Sequence, residues 1–398
     1  MREGWEYKKL GDCFYYIKNG ANIKQKKDVD GYPITRIETL SGGVFNRDRV
    51  GYAGIHDLSK YAEYILESKD LLMSHINSKT YIGRTVEYKS SNKETIIHGM
   101  NLLRLKANLN IIDSTFFAYY TQSGDFKSKI ARIRKDAVNQ SSFAISDLKR
   151  FDIPLPPKST QLAIVSELDK INELSRLKKE QLKDFDNLAQ SIFYEMFGDP
   201  VENEMGWEVK KLGDNVEEMF LGPFGSALKV DSYVPKEDSY CMVYEQKHAI
   251  KKSINLENHY INKEKFDSLK RFCVMPGDFI MSCRGTIGKL YQIPPGAPMG
   301  IIHPSLMKIR LKQNGYDSTY FNFMLVKIVA IESTNGNCVQ MAITAKALSK
   351  KELPLPPLPL QQLFAHRIEQ IEHQKAEVQK SITDLETLLA ARMQYWFE

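Results

Sequence analysis

The stretch GWEYKKLGD at Gly4–Asp12 returns as GWEVKKLGD at Gly206–Asp214, with eight of nine residues identical. A repeat this long constrains a chain more than any local pattern, because each copy must fold alike. Further echoes keep the same order. IPLPPKSTQ (Ile153–Gln161) matches LPLPPLPLQ (Leu353–Gln361), DLLMS (Asp70–Ser74) matches DFIMS (Asp278–Ser282), and DSTFF (Asp113–Phe117) matches DSTYF (Asp317–Phe321). Ile-Gly follows the second pair at Ile82-Gly83 and Ile287-Gly288. Offsets drift between 200 and 208, as they do when loops change length on a common scaffold. The chain is a tandem duplication.

Each copy has two parts. The first, residues 1–152 and again 199–352, mixes short β-type runs such as YPITRI and FCVMPGDFIMS with Gly, Asn and Asp punctuation, then a helical pattern near STFFAYYTQS and STYFNFMLVKIVAIES. This predicts an α+β globule with strands too short for a doubly wound enzyme sheet. The second part, residues 153–198 and 353–398, starts at a Pro-rich step and continues without Gly or Pro as one helix, from about Thr160 to Phe197 and from about Leu360 to Phe397. Steps of four and three place Ile164, Leu168, Ile171, Leu182, Phe185 and Ile192 on one stripe. The matching stripe carries Ile368, Ile371, Val378, Ile382, Leu385 and Leu389, and both stripes share a polar interruption at Ser175 and Lys375. That is a coiled-coil seam. One chain that leaves the first globule on one helix and returns on the other predicts antiparallel pairing. The expected architecture is two pseudo-symmetric globules separated by two long helices.

Charge is uneven. Residues 1–152 hold 25 Lys and Arg against 18 Asp and Glu, whereas residues 198–352 hold 20 against 18. A basic excess in the globules suits a polyanion partner. The five cysteines include no Cys-x-x-Cys pair and read as reduced thiols. No apolar run approaches a membrane span and Met1-Arg2-Glu3 opens no signal peptide, which predicts a cytoplasmic protein. Catalytic signatures are missing: there is no phosphate-binding loop, no dinucleotide fingerprint and no Asp/Asn-Pro-Pro-aromatic tetrapeptide. The eight histidines show no metal spacing, and His98 and His303, each ahead of an apolar run, read as structural. FLGPFG (Phe220–Gly225) lacks the strand-then-helix setting of an adenosylmethionine loop and reads instead as a turn that brings backbone near a phosphate.

What remains is a set of polar, basic loops interleaved with aromatics, recurring at matching places with different residues. In the first half they are KNGANIKQKK, SGGVFNRDR, NSKTYIGR and RIRKDAVNQSS, with Lys24, Lys26, Lys79, Thr80, Arg84, Asn139 and Gln140, and Arg36 of YPITRI beside them, as candidate DNA contacts. In the second half they are GPFGSALK, EQKHAIKK, CRGTIGK and TNGNCVQ, with Gly222, Gly225, Ser226, Lys229, Gln246, Arg284, Lys289 and Gln340. Lys and Arg suit phosphates, while Arg, Asn and Gln can form paired bonds to base edges. A common scaffold with divergent loops suits one fold reading two sequences.

With GWE-x-KKLGD opening each half, PGDFIMS…GTIG at Pro276–Gly288 and two LPLPP…Q steps into long helices, the chain resembles the DNA-specificity subunit of type I restriction–modification systems over nearly its full length. The first half departs at SKDLLMSHINSKTYIG, which is three residues longer and lacks Pro-Gly. The resemblance implies a non-catalytic subunit whose globules are target-recognition domains, each reading half of a bipartite, asymmetric site on double-stranded DNA. It implies helices that measure the spacer and carry two methylation subunits, with a motor-nuclease subunit joining for cleavage. S-adenosylmethionine, ATP and Mg2+ would belong to those partners, and this chain would hold no cofactor or metal. Two other readings stay open: a methyltransferase or nuclease with duplicated recognition domains, and a coiled-coil scaffold that does not bind DNA.

Overall fold

The repeated opening segment folds the same way twice. Glu6–Lys9 pairs antiparallel with Asp152–Leu155, and Val209–Lys211 pairs antiparallel with Glu352–Pro354. Each opening strand runs into one 3-10 turn, Leu10–Cys13 or Leu212–Asn215, whose leucine is fully buried. The motif's glycine lets the turn pack closely. A Cβ on Gly11 would stand 3.1 Å from Lys149 Cβ, and one on Gly213 would stand 3.1 Å from the Ser349 carbonyl oxygen. The motif recurs because the same strand closes each globule, joining its first residues to its last.

The computed structural model describes residues 4–24, 29–91, 94–138, 140–313, 315–334 and 343–398. The chain divides into unit 1, Met1–Lys179 with Gln379–Glu398, and unit 2, Glu180–Val378. The helices in chain order are α1 (Ser114–Tyr120), α2 (Gly124–Ile133), α3 (Ile145–Lys149), α4 (Lys158–Phe197), α5 (Gln246–Lys251), α6 (Lys263–Leu269), α7 (Ser318–Thr334), α8 (Ala345–Ser349) and α9 (Leu358–Phe397). Each unit thus takes one globule and part of each long helix.

Unit 1 is built on an antiparallel sheet in the spatial order Phe14–Asn19, Leu102–Ala107, Leu71–Ser74, Thr85–Glu87. Unit 2 has the same order: Val216–Leu221, Leu306–Leu311, Phe279–Ser282, Leu290–Gln292. The Asp of DLLMS and DFIMS anchors each sheet. Asp70 is buried against Arg104 (2.6 Å) and Lys106 (3.2 Å), and Asp278 against Arg310 (2.6 Å) and Lys308 (3.3 Å). Each carboxylate also accepts a backbone N–H, from Glu67 or Met275, so the buried charge is both paired and hydrogen-bonded.

Unit 2 adds a second sheet, His259–Ile261, Cys241–Tyr244, Gly300–Ile302, Cys273–Val274. In unit 1 the same layer shrinks to single bridges. The parallel Ile34–Ile97 bridge stands where Val243 pairs with Ile301, and Ile65–Ile97 stands where Cys273 pairs with Ile301. The YPITRI run is therefore not a full strand. Pro33 has no N–H to give a ladder, and the chain turns into a 3-10 segment at Ile37.

The steps into the long helices repeat in detail. Gln161, fully buried at the start of α4, accepts the Asp113 N–H at 2.7 Å and donates to the Pro156 carbonyl at 2.9 Å. Gln361 does the same for the Asp317 N–H (2.8 Å) and the Pro356 carbonyl (2.7 Å). Those aspartates cap α1 and α7, each accepting two N–H groups of the first turn. Both long helices have 40 residues and start two positions before the expected Thr160 and Leu360, since a first helical turn needs no N–H donors of its own.

Within unit 1, α4 and α9 run antiparallel. Glu167 pairs with Arg392 and accepts the Trp396 indole N–H at 2.9 Å, and Lys179 meets Glu386 at 2.8 Å. The Arg392 guanidinium holds the Glu167 carboxyl below its ordinary range. Ile164, Leu168 and Phe397 are buried in the unit 1 core with Phe116 and Tyr120, and Leu389 packs against them. Within unit 2 the helices are also antiparallel, with Phe193 against Phe364 and Lys375 bonded to Asp186 at 2.8 Å. Lys375, the polar interruption of the stripe, is thus a cross-helix ion pair. Of the remaining stripe residues, Ile171, Ile368, Ile371, Val378 and Ile382 are buried, whereas Leu182, Phe185, Ile192 and Leu385 are half-buried.

Candidate nucleic-acid interface

Antiparallel pairing sends alternate strand ends to the same side. In unit 1 that side collects the end of Phe14–Asn19, the end of Leu71–Ser74 and the starts of Leu102–Ala107 and Thr85–Glu87. The loops KNGANIKQKK and NSKTYIGR therefore leave the sheet together. In unit 2 the same side releases GPFGSALK after Leu221 and CRGTIGK after Ser282. The opposite end of each sheet carries the 3-10 turn and the Gln-anchored connection to the long helices. Each globule thus has a helix end and a loop end.

Glycines let the loops converge. A Cβ on Gly20 would overlap the His98 carbonyl oxygen, and one on Gly222 would overlap that of His303. Gly222, expected to approach a phosphate, makes its close approach to its own chain and donates its N–H to the Leu306 carbonyl. His98 is fully buried, its Nε2 2.9 Å from the Leu102 carbonyl oxygen, and burial pushes its pKa down to about 3. Burial likewise lowers the pKa of His303. Both histidines sit inside the loop base, as structural residues do.

In unit 1 the loops SGGVFNRDR and NSKTYIGR face each other across a cleft of about 460 Å3 lined by Ile37, Glu38, Leu40, Ser41, Gly42, Arg49, Ser74, Asn77, Tyr81 and Arg84. Arg84 lies over the Tyr81 ring at 4.4 Å and donates to the Leu40 carbonyl at 3.4 Å. Arg36 is exposed directly before the 3-10 segment Ile37–Gly43, 3.4 Å from Glu38. Lys79 pairs instead with Asp136 at 3.0 Å. That contact ties NSKTYIGR to the hairpin Lys135–Asp136/Ser141–Ser142, whose second strand also pairs with Ile76–Asn77. Lys24, Thr80 and Gln140 are exposed; Lys26 and Asn139 lie outside the described residues. The cleft contributors Arg49 and Asn77 were not singled out from the sequence, although the Asn-Arg-Asp-Arg run at Asn46–Arg49 carried the signal.

In unit 2 Gly225, Ser226 and Lys229 are exposed on the first loop, and Arg284 and Lys289 on the second. Gln246, at the start of α5, spends its amide donors on the Arg284 and Thr286 carbonyls. These bonds link α5 to CRGTIGK and occupy both amide N–H groups that a two-pronged base contact would draw on. Gln340 lies outside the described residues. Burial raises the thiols of Cys13 to about 11 and of Cys241 and Cys283 to about 12, so they do not serve as nucleophiles near neutral pH. Among the described residues no helix is long and apolar enough to cross a membrane.

Comparison with known proteins follows the duplication. The family described as "Type I restriction modification DNA specificity domain" matches residues 2–184 and again 205–387. The chain is 31% identical over 383 residues to the "Putative type I restriction enzyme MjaX specificity subunit" of Methanocaldococcus jannaschii, covering 93% of this chain and 87% of that one. It is 26% identical over 204 residues to the type I restriction enzyme StySPI specificity subunit of Salmonella potsdam, covering 49% and 42%. A chain solved in work on complex assembly and conformational transition of the type I R-M system superposes with a TM-score of 0.65 at 18% identity, over 100% of this chain and 98% of that chain. The type I restriction-modification S subunit from M. genitalium superposes at 0.53 with 14% identity, over 98% and 95%.

Proposed function

The chain belongs to the family of type I restriction–modification DNA-specificity subunits, with two repeated specificity domains, and on that premise we propose that each globule reads one half of a bipartite, asymmetric DNA site. The observation that carries this reading is one sheet with one loop end, built twice and furnished differently. Unit 1 offers an arginine-bearing cleft where unit 2 offers a loop braced by Gln246. A shared central sheet with the same strand order gives both readers one design, and divergent loops let them recognise different bases.

The long helices set the distance between half-sites and dock two methylation subunits, which carry the S-adenosylmethionine chemistry. A motor-nuclease subunit using ATP and Mg2+ completes the restriction complex. The chain itself is a non-catalytic cytoplasmic subunit. The alternative of a self-contained enzyme finds no support in the buried His75, His98 and His248 or in the buried thiols of Cys13, Cys241 and Cys283, and a scaffold without DNA contacts leaves the basic loop ends without purpose.

The test is to compare the chain alone with the chain co-purified with its methylation subunits on a random-sequence DNA library. The complex is expected to methylate a two-part motif and the chain alone to bind DNA in a salt-dependent manner without turnover. Methyl transfer by the pure chain, or no sequence preference in the complex, would refute the proposal.

A further inference from the structure

Two guanidinium groups in the unit 1 cleft are left available by the fold. Arg47, on the same turn, is consumed: its Nε and Nη2 donate to Glu94 at 2.8 and 2.5 Å, and Nη2 also donates to the Lys89 carbonyl. Arg49 has no side-chain partner among the described residues and stands exposed at the rim. Arg84 is held without being neutralised. Its ring contact with Tyr81 and its single long bond to the Leu40 carbonyl fix the guanidinium, yet no carboxylate pairs with it among the described residues. Its backbone is equally fixed, since its carbonyl accepts the Ser74 N–H at 2.9 Å and Gly83 before it, at φ +80°, packs on Ile130. A planar fork pinned on one face, with other N–H groups free, is pre-organised for a two-acceptor edge.

Four neighbours line that edge. Asn77 donates one Nδ2 N–H to Ser74 Oγ (3.0 Å) and accepts the Ser78 N–H at Oδ1 (2.8 Å), which holds its amide against its own loop. Glu38 lines the same cleft, and a carboxylate repels a phosphate but tolerates the amino group of cytosine. Leu40 and Ile37 supply apolar wall. The guanine N7 and O6 acceptors of a G·C pair fit this set, and Arg49 at the rim suits a phosphate.

We propose that this cleft is the base-reading site of unit 1 and that Arg84 specifies a guanine in the half-site unit 1 reads, an assignment that rests on the two-reader function above. Arg49 contacts the backbone and sets affinity, and Lys79, tied to Asp136, orders the hairpin.

The experiment is site selection from a randomised library by the full-length chain with its methylation subunits, as wild type, Arg84→Lys and Arg49→Ala. Arg84→Lys keeps the charge but loses the fork. It is expected to relax one guanine of one half-site by about ten- to a hundredfold, leaving the other positions and the other half-site unchanged. Replacing that guanine with 7-deazaguanine should weaken binding by wild type and weaken Arg84→Lys less, because the ammonium lacks the fork that spans N7 and O6. Arg49→Ala should weaken all sequences alike and reduce the salt slope by about 1. A guanine requirement undiminished in Arg84→Lys, or wild-type tolerance of 7-deazaguanine throughout that half-site, overturns the assignment while leaving the two-reader function intact. Loss of preference at every position of the half-site would make Arg84 structural and also overturn it. A wild-type complex that selects no two-part site overturns both.

Discussion

Gln161 and Gln361 show how one side chain can tie a globule to a helix. Each bridges the capping aspartate of one helix and the carbonyl of the first proline in the Pro-Pro step before another, inside the protein. Replacing Gln161 by Leu leaves the Asp113 N–H buried without an acceptor, so unit 1 should lose about 1–3 kcal/mol in a denaturant titration. Leu162→Ala, at an exposed neighbouring position, should change little. The buried histidines give unit 1 a pH dependence. Burial pushes His98 down to about 3 and His75 to about 4 from an ordinary value of 6.5. Above that ordinary value both are neutral whether folded or unfolded and add no slope. Below it the unfolded chain takes protons first, so stability falls as pH drops from 6.5 towards 4, by up to about 1.4 kcal/mol per pH unit for each histidine. The denaturation midpoint of unit 1 should follow this fall, and His98→Gln should flatten part of it. An unchanged midpoint between pH 7 and pH 5 would contradict the account.

At the scale of elements, the long helices were the most legible part of the sequence. Their apolar stripe recurs at 3.5 residues over five heptads, and nothing in it breaks a helix. Their cross-helix contacts were not legible, because Glu167 meets Arg392 and Asp186 meets Lys375 only after two distant segments have paired. YPITRI misled for a local reason: its alternation looks like a strand, but Pro33 removes a ladder donor. If the helices set the spacer, adding one heptad to each at the unit boundaries, after Lys179 and after Val378, lengthens them by about 10.5 Å. At about 3.4 Å per base pair this is roughly three base pairs, which also turn the DNA by roughly 100°. The original site should be lost while each globule stays folded, and any site regained from a spacer-randomised library should keep both half-sites at a longer spacing. Unchanged preference for the original spacer would show that the helices do not set it.

For the whole molecule, the duplication was plain in the letters, whereas the loop end was not. Asn77, Tyr81 and Arg84 lie close in sequence, but Glu38 and Arg49 join them only because the sheet brings the two loops face to face. Polar loops could be listed from composition; which of them braces the fold, as Gln246 and Lys79 do, depends on contacts made across tens of residues. The central claim is that one scaffold carries two independent readers. The most direct measurement is the methylated motif of a hybrid in which residues 10–152 are replaced by residues 212–352, between strands and helices that both units share. The complex of this hybrid with its methylation subunits should modify a site in which the half-site of unit 2 occurs twice and that of unit 1 is absent. Retention of the original two-part motif, or a new motif unrelated to the half-site of unit 2, would contradict the account.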